Sequence, residues 1–418
     1  MKANQIISRS DAMYCGIAMA VTILELALIA TNPQLGNHAL EIALIVQLII
    51  SASLEFYAGA AVNFYIGMGN TMLMGFILKW ASAISFLIGF YLSYQGWITL
   101  TWCFLVAAFA LDAMGTGCLK STFRPTYNRI HFTLTGKNAD FAIIAFSFLT
   151  LRLLLPFTLL ILASYMLSFW RPAYAAAAIF STIILCRSVQ IIYARNDLKY
   201  THIPFRPKKH LRIISLSRLR NAYQRSPTAF YGFLTGNLFE SIILMYAIGL
   251  LYKYKHLLQL PDFLAWLGSS MIAFTLYLTS ILIGGGLLIK TINKTLPKSL
   301  ALIFITLTAA TSLWLTLDTE GKDLFYALAV FSFSGIIIGL ILIRLSTNLI
   351  LENSTDLEAV DFFLLVDVST TFCIVSIAVM AAFIFGPDGL IKGFGVGITI
   401  VLFMYFSHLY KSQKQPIR

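Results

Sequence analysis

The sequence predicts an all-α polytopic membrane protein of about twelve transmembrane helices in two pseudo-symmetric six-helix bundles, with both termini on the cytoplasmic side. Three observations predict it. Of 418 residues, 59% are hydrophobic and only 11% are charged. The apolar residues fall in runs of about 20, the length that lets a helix satisfy every backbone N–H and C=O inside lipid. The basic residues collect in alternate loops.

Composition excludes the soluble classes first. A soluble domain carries about 25% charged residues, and a mean hydropathy of +0.82 leaves more apolar surface than a soluble core can hide. The net charge of +12 does not point to nucleic acid, because the bases lie in short loops between apolar runs rather than on one soluble face. Cys15, Cys103, Cys118, Cys186 and Cys373 are scattered in or beside apolar segments without a CxxC pair, so they read as packing residues. The polar start from Met1 to Ser10 precedes an apolar run that lacks a small-x-small cleavage site, which predicts a retained first span.

Twelve apolar runs lie near 13–32, 39–60, 72–94, 98–118, 140–163, 173–193, 228–251, 264–289, 299–317, 323–345, 362–386 and 389–410. With the N-terminus inside, 22 of the 30 Lys and Arg fall in inner loops and tails. Five (Arg171, Lys253, Lys255, Lys322, Lys392) are outside and three (Lys79, Arg152, Arg187) lie within spans. Trp97, Trp102, Trp170, Trp266 and Trp314 then sit at or near the outer interface, where an indole is favoured. Both signals predict a multi-pass protein of the bacterial inner (plasma) membrane, with N- and C-termini cytoplasmic.

The longest segment outside the spans joins the sixth and seventh. It carries Arg195, Lys199, Arg206, Lys208, Lys209, Arg212, Arg218, Arg220 and Arg225. It divides the chain into an N-terminal bundle, 1–192, a basic cytoplasmic linker, 193–227, and a C-terminal bundle, 228–418. The linker reads either as an amphipathic segment on anionic lipid or as a solvated connection whose charge enforces topology. The halves echo each other: Gly117 precedes Asp140-Phe141 by 23 residues, and Gly339 precedes Asp361-Phe362 by 22. These pairs open the fifth and eleventh spans, equivalent places in a tandem repeat of six helices.

The second span ends in Leu54-Glu55-Phe56-Tyr57-Ala58-Gly59, followed by Ala60-Ala61-Val62-Asn63. This resembles the L-E-x-P-x-G-x-x-x-D run of the major facilitator superfamily, with Tyr57 at the Pro place and Asn63 at the Asp place. No base follows between Phe64 and Asn70. The glycine-rich run of drug/proton antiporters is absent from the fifth span, which reads Arg152-Leu-Leu-Leu-Pro156-Phe157. The resemblance covers essentially the whole chain. It implies two bundles rocking about a midplane site lined by spans one, four, seven and ten, with Glu55, Gly59 and Asn63 as gating candidates at the second-to-third loop.

Charges inside spans need a reason, since each costs about 2.5–3.5 kcal/mol on insertion scales. Glu25, Arg152 and Glu240 fall near mid-depth, and Asp112 and Arg187 in the inner half. Glu55, Lys79 and Asp367 fall close to the inner surface, where side chains reach water or headgroups. By the resemblance Glu25, Asp112 and Glu240 lie on cavity-lining spans. A carboxylate in low dielectric exchanges its proton nearer neutrality, which proton coupling requires. The alternative is neutralisation by Arg152 in a fixed interhelical pair. Asn237 precedes Glu240 by about one turn and shares its face. Glu25, Asp112, Glu240, Asn237 and Arg152 are thus the candidates for proton coupling or substrate contact.

No histidine falls in mid-span. Gly115 and Gly117, and Gly284, Gly285 and Gly286, are places where helices approach closely or bend. The sequence has no metal-ligand cluster, P-loop, GxSxG or Rossmann fingerprint, so it predicts no enzyme, no metal and no cofactor. The expected partners are a small-molecule substrate, a proton and membrane lipids, with no nucleic acid, and the expected state is a monomer. The leading expectation is a secondary active transporter that exports a small organic solute in exchange for protons. Three cavity acids against Arg152 suggest tolerance of cationic or amphipathic solutes. An uptake symporter is the near alternative. A lipid-linked oligosaccharide flippase fits less well, for want of excess cations. A membrane enzyme is disfavoured because the longest outer loops have only about a dozen residues.

Overall fold

The computed structural model describes residues 2–32, 34–36, 39–139, 158–159, 161–163, 165–166, 170, 172–200, 216–227, 229–238, 347, 349–352 and 356–385. Their regular structure is helical. Helix α1 is Lys2–Thr31, α2 Ala39–Ile66, α3 Met68–Tyr94, α4 Ile98–Thr135, α5 Pro172–Asp197, α6 Leu216–Arg225 and α7 Asp356–Phe385. A single 3₁₀ turn, Leu198–Tyr200, follows α5, and residues 229–238 form a further helical segment. Among the described residues four helices are long and apolar enough to cross a membrane, in α3, α4, the stretch from Ala173 to Tyr200, and α7. The protein is a multi-pass membrane protein. The third, fourth and sixth expected spans lie on α3, α4 and α5, and the eleventh on α7. The eighth, ninth, tenth and twelfth lie outside the described residues, apart from scattered positions after the tenth.

Several helices overrun the apolar runs that signalled them. The run of the fourth span ends at Cys118, yet α4 continues through Lys120, Arg124 and Pro125 to Thr135. At 38 residues it is about 57 Å long, nearly twice the hydrocarbon thickness. Gly136, at φ +72°, turns the chain out of it. Similarly, α2 runs past Gly59 and Asn63 to Ile66, so the expected short loop is helix there. Only Gly67, at φ +82°, separates it from α3. Hydropathy marks what faces lipid, whereas helix continues as long as packing partners do.

Helix α4 is the central rod. It packs against α1, α2, α3 and α7, while α5 packs on α1 and α3, and α6 packs on α7. Two apolar layers fill the bundle. One holds Leu24, Leu28, Phe86, Phe90, Phe109 and Phe180, with Phe86 stacked on Phe180 at 5.8 Å and edge-on to Phe109 at 5.4 Å. The other lies at the end where Arg9, Arg124 and Arg225 gather, here called the basic end. It joins Ile7, Phe76, Phe123 and Tyr127 to Phe233, Phe362 and Phe363 of the second half. The Arg124 guanidinium lies over the Phe233 ring at 4.8 Å and the Phe363 ring at 5.5 Å, clasping α4 to the second half.

Close approach of α4 to its neighbours rests on glycine. Gly115 faces Gly75 of α3, where an added Cβ would come within 2.9 Å of the Gly75 carbonyl oxygen. Gly117 faces α2 in the same way. Such small-residue contacts bring backbones into van der Waals range, the main attraction available between helices in lipid.

Candidate functional site

Lys79, Asp112 and Arg187 each stand in sequence between members of the two apolar layers, so they form a polar stratum between them. Lys79 follows Phe76 and precedes Ala83; Asp112 follows Phe109 and precedes Leu119; Arg187 follows Ile183. The Lys79 ammonium donates to Asp112 Oδ1 at 2.6 Å. The Thr116 hydroxyl, one turn along α4, approaches Asp112 Oδ2 at 3.4 Å. Arg187 is 1% exposed and, among the described residues, the largest side chain buried this completely. Its Nη1 donates to Gln190 Oε1 at 3.0 Å, and Gln190 Nε2 donates to the Met13 carbonyl at 3.0 Å, which ties α5 to α1. Arg187 Nε is buried without an acceptor.

Glu25 on α1 is 6% exposed and lies within electrostatic reach of Asp112, Lys79 and Arg187. The four residues come from α1, α3, α4 and α5. Two acids and two bases close to neutrality in one buried cluster, an arrangement that low dielectric favours over any unpaired charge. This corrects one expectation. Lys79 does not reach the surface: α3 begins at Met68 rather than near 72, which places Lys79 close to its middle, buried beside Asp112. Of the three expected cavity acids, Glu240 lies outside the described residues. The neutralising partner of Asp112 is Lys79; Arg152 lies outside the described residues.

A second group occupies the basic end. The Lys120 ammonium is 3.1 Å from Glu55 Oε2 on α2 and 2.7 Å from Asp367 Oδ1 on α7. Lys120 thereby joins the N-terminal half to the eleventh expected span. Glu55 and Asp367 are buried rather than at the inner surface, because α2 extends beyond Glu55 to Ile66 and α7 starts before Asp367 at Asp356. Asp367 Oδ2 is buried without a donor. Gly59 lies against Gly117 and Leu364, where an added Cβ would come within 2.7 Å of the Gly117 carbonyl oxygen and 3.1 Å of Leu364 Cδ1. Asn63 lies within the last turns of α2.

Two further contacts close this end. The Arg9 guanidinium pairs with Asp197 at 3.0 Å and covers the Tyr193 ring at 4.1 Å, while Ser10 and Tyr127 donate to Asp197 Oδ2, each at 3.0 Å. Arg225 of α6 pairs with Glu358 of α7. Helix α6 is thus docked on α7 through Arg225, with Arg220 exposed. Asn237 is half-buried, one residue before the described segment 229–238 ends, and Glu240 lies outside it. Among the described residues no group of three His, Cys, Asp or Glu is placed to hold a metal ion.

Sequence reasoning overlooked Lys120, which hydropathy places in a loop. Its signal was the spacing Asp112, Thr116, Lys120, which sets all three on one face once α4 is known to continue.

The described residues thus form a multi-helical membrane body with a buried charge cluster and an ion bridge that joins α2 and α4 to α7. No family model and no curated protein sequence matches the chain. Solved structures do. A bacterial homologue of the iron transporter ferroportin, in an outward-facing state with soaked iron, aligns with a TM-score of 0.67 at 12% identity, covering 99% of each chain. The proton:xylose symporter XylE of the major facilitator superfamily aligns at 0.60 and 12% identity over 97% of this chain and 94% of that one. The E. coli fucose:proton symporter FucP aligns at 0.53 and 14% identity over 98% of each. The chain therefore has the fold of the major facilitator superfamily structures it aligns with.

Proposed function

We propose that the protein is a secondary active transporter of the bacterial inner membrane that moves a small organic solute by alternating access, exporting it in exchange for protons. The observation that carries this reading is Glu25, a buried carboxylate set among Asp112, Lys79 and Arg187 inside a bundle with a transporter fold. A carboxylate so placed binds and releases a proton as the cavity is wetted from alternate sides, and the neighbouring charges make its state felt by three other helices. Arg152, Glu240 and Asn237 are proposed to complete the path from the remaining spans. The basic end, closed by Lys120 between Glu55 and Asp367 and by the Gly59–Gly117 contact, is proposed as the cytoplasmic gate, with both termini on that side and a monomer as the working unit.

Proton-coupled uptake is the second reading, favoured by the two proton symporters among the structural neighbours. Purified protein in proteoliposomes, loaded with candidate solutes under an imposed pH gradient, tests both. Gradient-dependent efflux supports export, and gradient-dependent uptake supports symport. Full gradient-driven transport by a Glu25→Gln, Glu240→Gln double variant would remove proton coupling through these residues.

A further inference from the structure

Two buried charges of opposite sign stand without partners between α1 and α5. Among the described residues Arg187 makes one hydrogen bond, from Nη1 to Gln190. Its Nε lies on the other edge of the guanidinium, buried and without an acceptor. Glu25 is 6% exposed, and no described residue donates to it or pairs with it. The ion pairs nearby are Lys79 with Asp112 and Arg9 with Asp197, which leave Glu25 and Arg187 over. Two contacts set how α1 and α5 lie. Arg9 meets Asp197 at 3.0 Å and Gln190 meets the Met13 carbonyl at 3.0 Å, so the helices run antiparallel. From the Met13–Gln190 contact, moving away from the basic end, Arg187 lies about 4.5 Å along α5 and Glu25 about 18 Å along α1. Side chains lean toward the N-terminus of their own helix. Glu25 therefore leans toward the basic end and Arg187 away from it, so the two reach for each other across about 13 Å of axial height. They do not meet: no hydrogen bond or ion pair joins them.

We propose that Arg187 and Glu25 are the two ends of a binding site for a small zwitterion, an amino-carboxylate whose carboxylate lies on the Nε–Nη2 edge of Arg187 and whose ammonium donates to Glu25. The guanidinium is prepared for this. Gln190 holds Nη1 and is itself anchored on the Met13 carbonyl, which fixes the plane and turns the remaining edge, two parallel N–H donors, toward an incoming carboxylate. A buried guanidinium with an empty donor edge and a buried carboxylate with no donor are each disfavoured, and one molecule carrying both complementary charges satisfies the two together. The Lys79–Asp112 pair, closed at 2.6 Å, remains beside the site as its fixed wall. Binding makes ion pairs and hydrogen bonds only; no covalent bond changes.

The substrate class rests on the transporter reading, but its test reads binding alone. Unfolding midpoints of the purified protein are followed in detergent, at constant pH and ionic strength, with glycine, β-alanine, γ-aminobutyrate and 6-aminohexanoate. This series spaces the two charges progressively further apart. Butyrate and butylamine, which carry one charge each, are the controls. One member of the series is expected to raise the midpoint saturably, its neighbours in length less so and the controls not at all. Arg187→Gln and Glu25→Gln are each expected to weaken that response at least about tenfold in concentration, since each removes a charge-assisted partner. Arg187→Lys keeps the charge and loses the fork; it is expected to bind more weakly than wild type, and it decides the matter if Arg187→Gln does not fold. No response to any member of the series, an equal response to butyrate or butylamine, or an undiminished response in Arg187→Lys and Glu25→Gln overturns the site. Proteoliposomes separate the two readings. Gradient-driven transport of a solute lacking one of the charges, by protein unresponsive to the series, removes this site and leaves the transporter. A series that binds without any gradient-driven transport removes the transporter and leaves the site.

Discussion

Gly117 of α4 lies so close to Glu55 of α2 that a methyl group built on it would stand 1.9 Å from the Glu55 carbonyl oxygen. The contact is backbone against backbone, so no side chain can move aside to accommodate one. Gly117→Ala is therefore expected to push α2 off α4. The cost is about 1–3 kcal/mol, the range of overpacking in a well-filled interior. Thermal unfolding in detergent reads this as a lower midpoint. An unchanged midpoint would mean that the two helices do not meet at Gly117.

The same displacement bears on the ion bridge, because Lys120 is one turn beyond Gly117 on the same helix. Lys120→Met is expected to destabilise by more than Asp367→Asn. The first leaves two buried carboxylates facing each other, whereas the second leaves the Glu55–Lys120 pair intact. Breaking a buried pair costs about 3–5 kcal/mol. Lys120 is 41% exposed in its side chain, so about 1–2 kcal/mol is the expected loss after solvent screening. The sign with pH follows. Protonating either carboxylate removes their repulsion, so the deficit of Lys120→Met relative to wild type shrinks as pH falls. A deficit that grows on acidification would contradict the bridge.

The pair of Lys79 and Asp112 gives a charge-exchange prediction. Asp112→Asn strands an ammonium in a buried place, and Lys79→Met strands a carboxylate. Each is expected to cost about 3–5 kcal/mol. The exchange Lys79→Asp with Asp112→Lys keeps opposite charges on facing helices. It is expected to recover a large part of the loss in the thermal midpoint, and an additive loss in the exchanged variant would show that the two groups do not interact.

The helices were legible where their faces meet lipid and obscure where they meet one another. Hydropathy located the runs on α3, α4, α5 and α7, and alternating basic loops suggested their order. It shortened α2, α3, α4 and α7 at the basic end, because Asn63, Asn70, Lys120 and Asp361 interrupt an apolar run without interrupting a helix. That shortening misplaced Glu55, Lys79 and Asp367 toward the surface and hid their partners. Glu25, by contrast, was readable as a buried acid, since nothing near it in the chain offers a route to water. The choice of partner was not readable at all. Whether Asp112 meets Lys79 depends on how α3 packs against α4, which it approaches backbone to backbone at the Gly75–Gly115 contact.

Arg187 carries the last prediction. Its guanidinium donates to Gln190, and Gln190 in turn donates to the Met13 carbonyl, each at 3.0 Å, so one amide serves both α5 and α1. Gln190→Leu removes an acceptor from a buried cation and a donor from a backbone carbonyl at once. The Met13 carbonyl keeps its backbone bond within α1, so the cost is chiefly that of the buried Arg187 left short of an acceptor, about 1–3 kcal/mol, and the midpoint of unfolding is expected to fall accordingly. Gln190→Glu restores an acceptor for Arg187 but offers the Met13 carbonyl no donor while ionised, and it adds a third carboxylate beside Glu25 and Asp112. That variant is expected to be more stable at low pH, where the introduced carboxyl is protonated, donates to Met13 and relieves the excess charge, and to lose that advantage as pH rises. Arg187→Lys does not repair the contact, since a single ammonium lacks the planar fork that engages Gln190 while facing Glu25 and Asp112. If Gln190→Leu unfolds at the wild-type midpoint, α1 is held to α5 by the apolar layers alone.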